Sequence, residues 1–239
     1  MRKPIIGIVA SNKKDANRTF NNYTKFVSNF PKRIIESGGT PIGLIFPDSK
    51  FIKEEADLCD GFLIQGGSSV NSYSINLIKY AIENKKPLLG ICLGMQTMAA
   101  YEWVISKLGT NFNYSDIDNY YINDEEFLTF KAGHNKTNPF YEKDIDKSKH
   151  DVYLNNVSRL YNIYKTSVIS EPSIHNYVVN PKYIGKIFSV CAKSLDGTIE
   201  ALEINDPSLW IIGVQFHPEI EESNLNLFKF LVEEAKKKR

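Results

Sequence analysis

Pro87-Leu-Leu-Gly-Ile-Cys-Leu-Gly-Met-Gln96 is the stretch that decides the fold. It reads as a short buried strand, a cysteine on a sharp turn, and a helix that begins at once. Pro87 opens an apolar run of Leu88, Leu89 and Ile91, Gly90 and Gly94 stand two residues either side of Cys92, and residues 95–105 are apolar and helix-favouring. This is the nucleophile-elbow arrangement, with Cys where many hydrolases carry Ser. The glycines let backbone segments approach closely around a strained turn. The turn lifts the sulfur off the end of the sheet and sets it at a helix N-terminus, where the dipole favours thiolate over thiol.

A cysteine nucleophile needs a base, and the chain has four histidines, at 134, 150, 175 and 217. His217 stands at the end of a second apolar run, Trp210-Ile-Ile-Gly-Val-Gln-Phe-His-Pro-Glu219. Pro218 stops strand pairing there. Glu219, two residues on, can hold the imidazole in one tautomer and support its positive charge. Cys92, His217 and Glu219 therefore satisfy the nucleophile–base–orienter logic of a triad.

These two segments resemble the class I glutamine amidotransferase superfamily. Within it, the chain is most similar to the gamma-glutamyl hydrolase branch, of the gamma-glutamyl-gamma-aminobutyrate hydrolase type. The resemblance runs along nearly the whole chain. Pro4-Ile-Ile-Gly-Ile8 resembles the opening strand, Gly38-Gly-Thr-Pro41 the GG-x-P turn, and Asp60-Gly-Phe-Leu-Ile-Gln-Gly-Gly67 the third strand with its glycine loop. Asp196-Gly-Thr-Ile-Glu-Ala-Leu-Glu203 resembles the hairpin before the histidine strand. The resemblance implies that Cys92 attacks the gamma-carbonyl of a glutamyl amide and that His217 protonates the leaving amine. Water activated by His217 then hydrolyses the glutamyl thioester. Oxyanion donors are expected at the backbone of Leu93 and at Gly66 or Gly67, with the choice between the two glycines open. Gln96, the last position of the Cys-x-Gly-x-Gln motif, is expected to line the glutamyl pocket. His175 lies in Ser173-Ile-His-Asn-Tyr177, similar to the branch's Ser-x-His-His-Gln segment, and is a further substrate-binding candidate. Asn176 and Tyr177 depart from that pattern, which bears on the identity of the amine. His134 and His150 fall where relatives carry histidines near the flap, and neither is assigned a role.

The expected fold is α/β and flavodoxin-like. A central, mostly parallel sheet carries helices on both faces, with a smaller antiparallel β element, in one domain over residues 1–239. Strands are expected at 4–11, 40–46, 61–65, 151–154, 161–164, 186–192, 199–204 and 209–216. Helices are expected at 22–37, with Pro31 kinking or splitting it, and at 52–59, 74–84, 95–105 and 224–236. Residues 12–21 read as loop. Asp196-Gly197 signals a hairpin turn. Residues 106–150 break the alternation and read either as a mobile surface insertion or as a flap beside the site.

Lys and Arg number 29 against 28 Asp and Glu, a net charge of +1, so neither a nucleic-acid nor a membrane partner is expected. No run reaches membrane-span length, and residues 5–10 are too short for a signal-peptide core. Three cysteines, at 59, 92 and 191, without a secretory signal, point to a reducing, cytoplasmic setting, and Cys59 and Cys191 read as structural. No CxxC pair or metal-spaced His/Cys cluster is present, so neither metal nor cofactor is expected. The partner expected is a small gamma-glutamyl substrate, and homo-oligomerisation stays open. The alternatives to a hydrolase are a glutaminase subunit that supplies ammonia to a partner synthase and a gamma-glutamyl transferase. A non-catalytic protein on this fold is disfavoured by the intact Cys92, His217 and Glu219 set.

Overall fold

A computed structural model describes residues 2–13, 23–46, 50–118, 120–135, 145–222 and 224–238. The chain opens with β1 (Ile5–Val9), then β2 (Ser11–Lys13), β3 (Tyr23–Lys25) and α1 (Asn29–Glu36). β4 (Thr40–Leu44), α2 (Lys53–Asp57), β5 (Gly61–Ile64) and α3 (Ser72–Glu83) follow, then β6 (Leu88–Ile91) and α4 (Leu93–Leu108). The next stretch holds α5 (Tyr114–Asp118), α6 (Asp124–Phe127) and β7 (Leu128–Phe130). The second half is β8 (Lys149–Leu154), α7 (Arg159–Tyr164), β9 (Val168–Pro172), β10 (Tyr177–Val179), β11 (Phe188–Ser194), β12 (Ile199–Ile204), β13 (Ile211–Val214) and α8 (Asn226–Lys236).

Nine strands form one sheet in the order β4-β1-β5-β6-β13-β12-β11-β8-β9. The first five run parallel, and each strand from β12 onward pairs antiparallel with its neighbour. The antiparallel element thus extends the same sheet from β13. Side chains alternate across it, as a period of two requires. Phe62, Ile64, Leu88 and Ile211 pack with α3 and α4, while Leu63, Leu89, Ile212 and Val214 pack with Phe30 and Ile34 of α1 and with α8. Helices cover both faces, so the central strands are apolar on both sides. Among the described residues no helix is long and apolar enough to cross a membrane.

Several expectations need correction. The helix expected over 22–37 is a short strand, β3, paired with β2, followed by the eight-residue α1. Pro31 falls in the first turn of α1, where a missing N–H costs nothing, so it neither kinks nor splits the helix. Asn12 and Lys13 belong to β2, and the rest of the expected 12–21 loop lies outside the described residues. Residues 161–164 are helical. Ser158 caps α7 by accepting from Tyr161 N at 3.0 Å, and Leu160 and Ile163 bury with the i, i+3 spacing of a helix. β7, β9 and β10 were not expected.

Part of 106–150 is anchored on the core. Ile117 and Phe127 are fully buried, the Phe127 ring lies 5.6 Å from that of Trp103 on α4, and Asn76 of α3 donates to the Tyr114 carbonyl at 2.9 Å. β7 also pairs with β10, which fastens this region to the segment that follows Ser173. The expected hairpin at Asp196-Gly197 joins β11 to β12, with Gly197 at a φ of 84°.

Candidate functional site

Cys92 sits between β6 and α4 with φ 52° and ψ −101°. A non-glycine residue there costs about 1–3 kcal/mol and is held only when its surroundings over-determine it. They do so here. Cys92 N donates to the Val214 carbonyl at 2.8 Å, and the Cys92 carbonyl accepts the first turn's bond from Gln96 N at 3.1 Å. A Cβ on Gly94 would lie 2.3 Å from the Ile64 carbonyl oxygen, and one on Gly90 2.6 Å from the Gly94 backbone. The two glycines therefore let the first turn of α4 seat directly on β5 and β6. Leu93 opens α4, so its N–H is one of the helix's free N-terminal donors.

His217 follows β13, the strand beside β6, which places the imidazole next to the elbow. Its Nδ1–H donates to Glu219 Oε1 at 2.7 Å, and its ring and Cys92 flank Gly66 together. Burial opposes charge on this ring, but Glu219 and Cys92 outweigh it and raise the His217 pKa well above the usual value. Glu219 is buried, and its carbonyl accepts from Nε of the buried Arg33 at 3.1 Å, which pins the turn after Pro218 to α1. Cys92 and His217, 125 positions apart in sequence, are thus brought together with Glu219 as one connected set.

Gly66 faces this set. A Cβ there would stand 3.2 Å from His217 Cε1 and 3.6 Å from Cys92 Cβ, whereas one on Gly67 would meet the Leu93 side chain at 2.8 Å and Ser11 Oγ at 3.0 Å. Sequence reasoning passed over the residue that holds this loop. Gln65 donates to the Val9 and Lys25 carbonyls, both at 2.9 Å, and accepts from Val27 N at 3.0 Å. A polar side chain ending an apolar strand directly before Gly-Gly was the signal available.

Gln96 and His175 meet at one atom. The Tyr177 carbonyl accepts from Gln96 Nε2 at 3.0 Å and lies 3.2 Å from His175 Nδ1. Gln96 Nε2 also donates to Gln215 Oε1 at 3.1 Å, so both amide donors serve the protein itself and dock the 173–177 segment onto α4. The His175 ring is buried, with Nε2 3.7 Å from Glu200 Oε1.

The chain matches the Peptidase C26 family over residues 4–74 and 71–219. A CTP synthase of Nautilia profundicola is 31% identical over 72% of this chain, and one of Wolinella succinogenes 32% identical over 75%. The chain spans about a third of the length of these curated relatives, 34% and 36% respectively. A glutamine amidotransferase-like protein of Rickettsia prowazekii is 26% identical over 98% of both chains. Among solved structures, the glutaminase domain of Trypanosoma brucei CTPS with bound acivicin has a TM-score of 0.67 at 20% identity, covering 99% of this chain and 95% of that one. The strained cysteine, the adjoining histidine and these matches have one common source: the chain belongs to the Peptidase C26 family, which is class I glutamine amidotransferase-like.

Proposed function

We propose that this protein hydrolyses the gamma-glutamyl amide bond of a small gamma-glutamyl compound through a glutamyl thioester on Cys92. The observation that supports it most is the connected Cys92, His217 and Glu219 set at a strained strand-to-helix turn. The Cys92 sulfur attacks the gamma-carbonyl carbon, and the carbonyl oxygen becomes an oxyanion. The Leu93 N–H and the backbone of Gly66 are the donors proposed to receive it, since of Gly66 and Gly67 it is Gly66 whose Cβ would face His217 and Cys92. His217 gives its proton to the leaving amine as the carbon–nitrogen bond breaks. It then takes a proton from water, whose oxygen attacks the thioester. Collapse of the second oxyanion breaks the carbon–sulfur bond and returns glutamate and free enzyme. Glu219 holds the imidazole and supports its charge throughout.

A second reading, a glutaminase that supplies ammonia to a partner synthase, is favoured by the CTP synthases among the relatives. Purified protein incubated with glutamine and a panel of gamma-glutamyl amines separates the two. Glutamate released from the amines by the protein alone, and lost in Cys92→Ala, supports the hydrolase. Turnover of glutamine alone, appearing when a synthase is added, supports the second reading. Transfer to an added amine would identify a transferase.

A further inference from the structure

Three of the four histidines lie outside the Cys92, His217 and Glu219 set. His134 follows β7, His150 lies in β8, and His175 lies between β9 and β10, yet all three converge on Glu200 of β12. Glu200 Oε1 is 3.4 Å from His134 Nδ1, 3.6 Å from His150 Nε2 and 3.7 Å from His175 Nε2. The ligating atoms of His134, His150 and Glu200 all lie within 4.8 Å of one another. Glu200 is fully buried, and His134 and His175 are 5% and 3% exposed. The three inward-facing nitrogens and both Glu200 oxygens have no hydrogen-bond partner. Five such atoms around one point demand an explanation, because each costs about 1–3 kcal/mol when left unpaired.

The outer sides of two rings fix their protons. His175 Nδ1 faces the Tyr177 carbonyl, which can only accept, so that nitrogen carries the hydrogen. His134 Nε2 lies 3.0 Å from Asp196 Oδ2 and 3.1 Å from Thr198 Oγ1. Thr198 directs its hydroxyl to Asp196 Oδ1 at 2.8 Å, which leaves His134 Nε2–H to donate to Asp196. In the neutral rings, both inner nitrogens then present lone pairs to a carboxylate. A proton on His134 would answer one contact and leave the His150 and His175 nitrogens facing the same oxygen.

A dication resolves the His134, His150 and Glu200 contacts together. Bonds of about 2.0–2.1 Å place the ligands of a tetrahedron about 3.3–3.4 Å apart, close to the spacings around Glu200 Oε1. A carboxylate behind His134 is an outer partner that ligating imidazoles use. We propose that His134, His150 and Glu200 bind a divalent transition-metal ion of the zinc class, with the His175 ring packed beside them. Two imidazoles and one carboxylate suit such an ion, whereas magnesium and calcium favour oxygen ligands throughout. The ion clips the turn at His134 and β8 at His150 onto β12. Glu200 O accepts from Gln215 N at 2.8 Å, two residues before His217, so the clip borders the Cys92 site without entering it.

The test is binding, read independently of any turnover. The full chain is stripped with a chelator, dialysed and titrated with Co2+ alone and Zn2+ alone. A single equivalent of Co2+ with the visible absorption of a four-coordinate nitrogen–oxygen site is expected, together with a rise in Tm on adding Zn2+. His150→Ala and Glu200→Gln are each expected to weaken Zn2+ binding by on the order of 100-fold or more, and Asp196→Asn by about 10- to 100-fold. If His150→Ala fails to fold, Asp196→Asn and the wild-type Co2+ spectrum decide. Folded wild type that takes up no Co2+ overturns the proposal. So does Zn2+ binding of unchanged affinity in folded variants, which would place the ion elsewhere.

Discussion

Replacing Gly66 by alanine tests the geometry above Cys92 with a single methyl group. The new Cβ would stand 3.2 Å from His217 Cε1 and 3.6 Å from Cys92 Cβ. Carbon atoms pack best at about 3.5–4.0 Å, so the imidazole must yield by a few tenths of an ångström. Gly66 is not among the residues with positive φ, so the backbone accepts the change. A 1 Å misplacement of reacting groups costs about 100-fold, so a shift of this size, with a methyl beside the oxyanion position, should lower kcat/KM by roughly 10-fold. The Tm should stay within about 3 °C of wild type. Gly94→Ala is the matched control. Its Cβ would fall 2.3 Å from the Ile64 carbonyl oxygen, a backbone atom that cannot step aside, so stability should drop by about 1–3 kcal/mol or more. The assay is glutamate release from the best gamma-glutamyl amide, paired with thermal unfolding. Wild-type kcat/KM in Gly66→Ala, or a Tm loss as large as that of Gly94→Ala, would refute the reasoning.

Glu219→Gln removes the negative charge 2.7 Å from His217 Nδ1. The His217 pKa, followed by NMR, should fall, and kcat should drop by about 100- to 10,000-fold. An unchanged rate would end the orienting role of Glu219. Burial holds the Cys59 thiol up at about 12 and raises that of Cys191 well above its usual value. Brief iodoacetamide treatment of native protein should therefore label Cys92 first, and equal labelling of all three would count against it. Glu171 is a pH handle on stability. Burial raises its folded-state pKa to about 8, against about 4.5 when unfolded, so between these values the folded state binds the extra proton. Stability should fall as pH rises from about 4.5 to about 8. Glu171→Gln should flatten that slope and melt higher than wild type at pH 8.5, and identical pH profiles would contradict the assignment.

The parallel half of the sheet was legible because its strands are apolar on both faces and alternate with helices, as Gly61–Ile64 and Leu88–Ile91 show. Cys92 was legible for a related reason. Gly90 and Gly94 have no freedom to carry side chains where α4 seats on Ile64, and that constraint is written in the sequence. Residues 161–164 were not legible, since the short stretch Tyr161-Asn-Ile-Tyr164 fits either period until the Ser158 cap is seen. The loop-holding role of Gln65 depends on carbonyls at 9 and 25, which only the folded chain brings near. The same holds for the Glu200 cluster. Its ligands come from separate elements spread over residues 134–200, so no linear spacing betrays them, and a search for metal-ligand motifs passes them by.

The central claim is that Cys92 carries the glutamyl group during turnover. Its most direct test is intact-mass analysis of enzyme acid-quenched during steady-state turnover of a gamma-glutamyl amide, followed by peptide mapping. The account predicts a glutamyl adduct on the peptide containing Cys92, absent in Cys92→Ala and more abundant where thioester hydrolysis is slowed. Glutamate release that persists in Cys92→Ala, or an adduct on Cys59 or Cys191 instead, would contradict it.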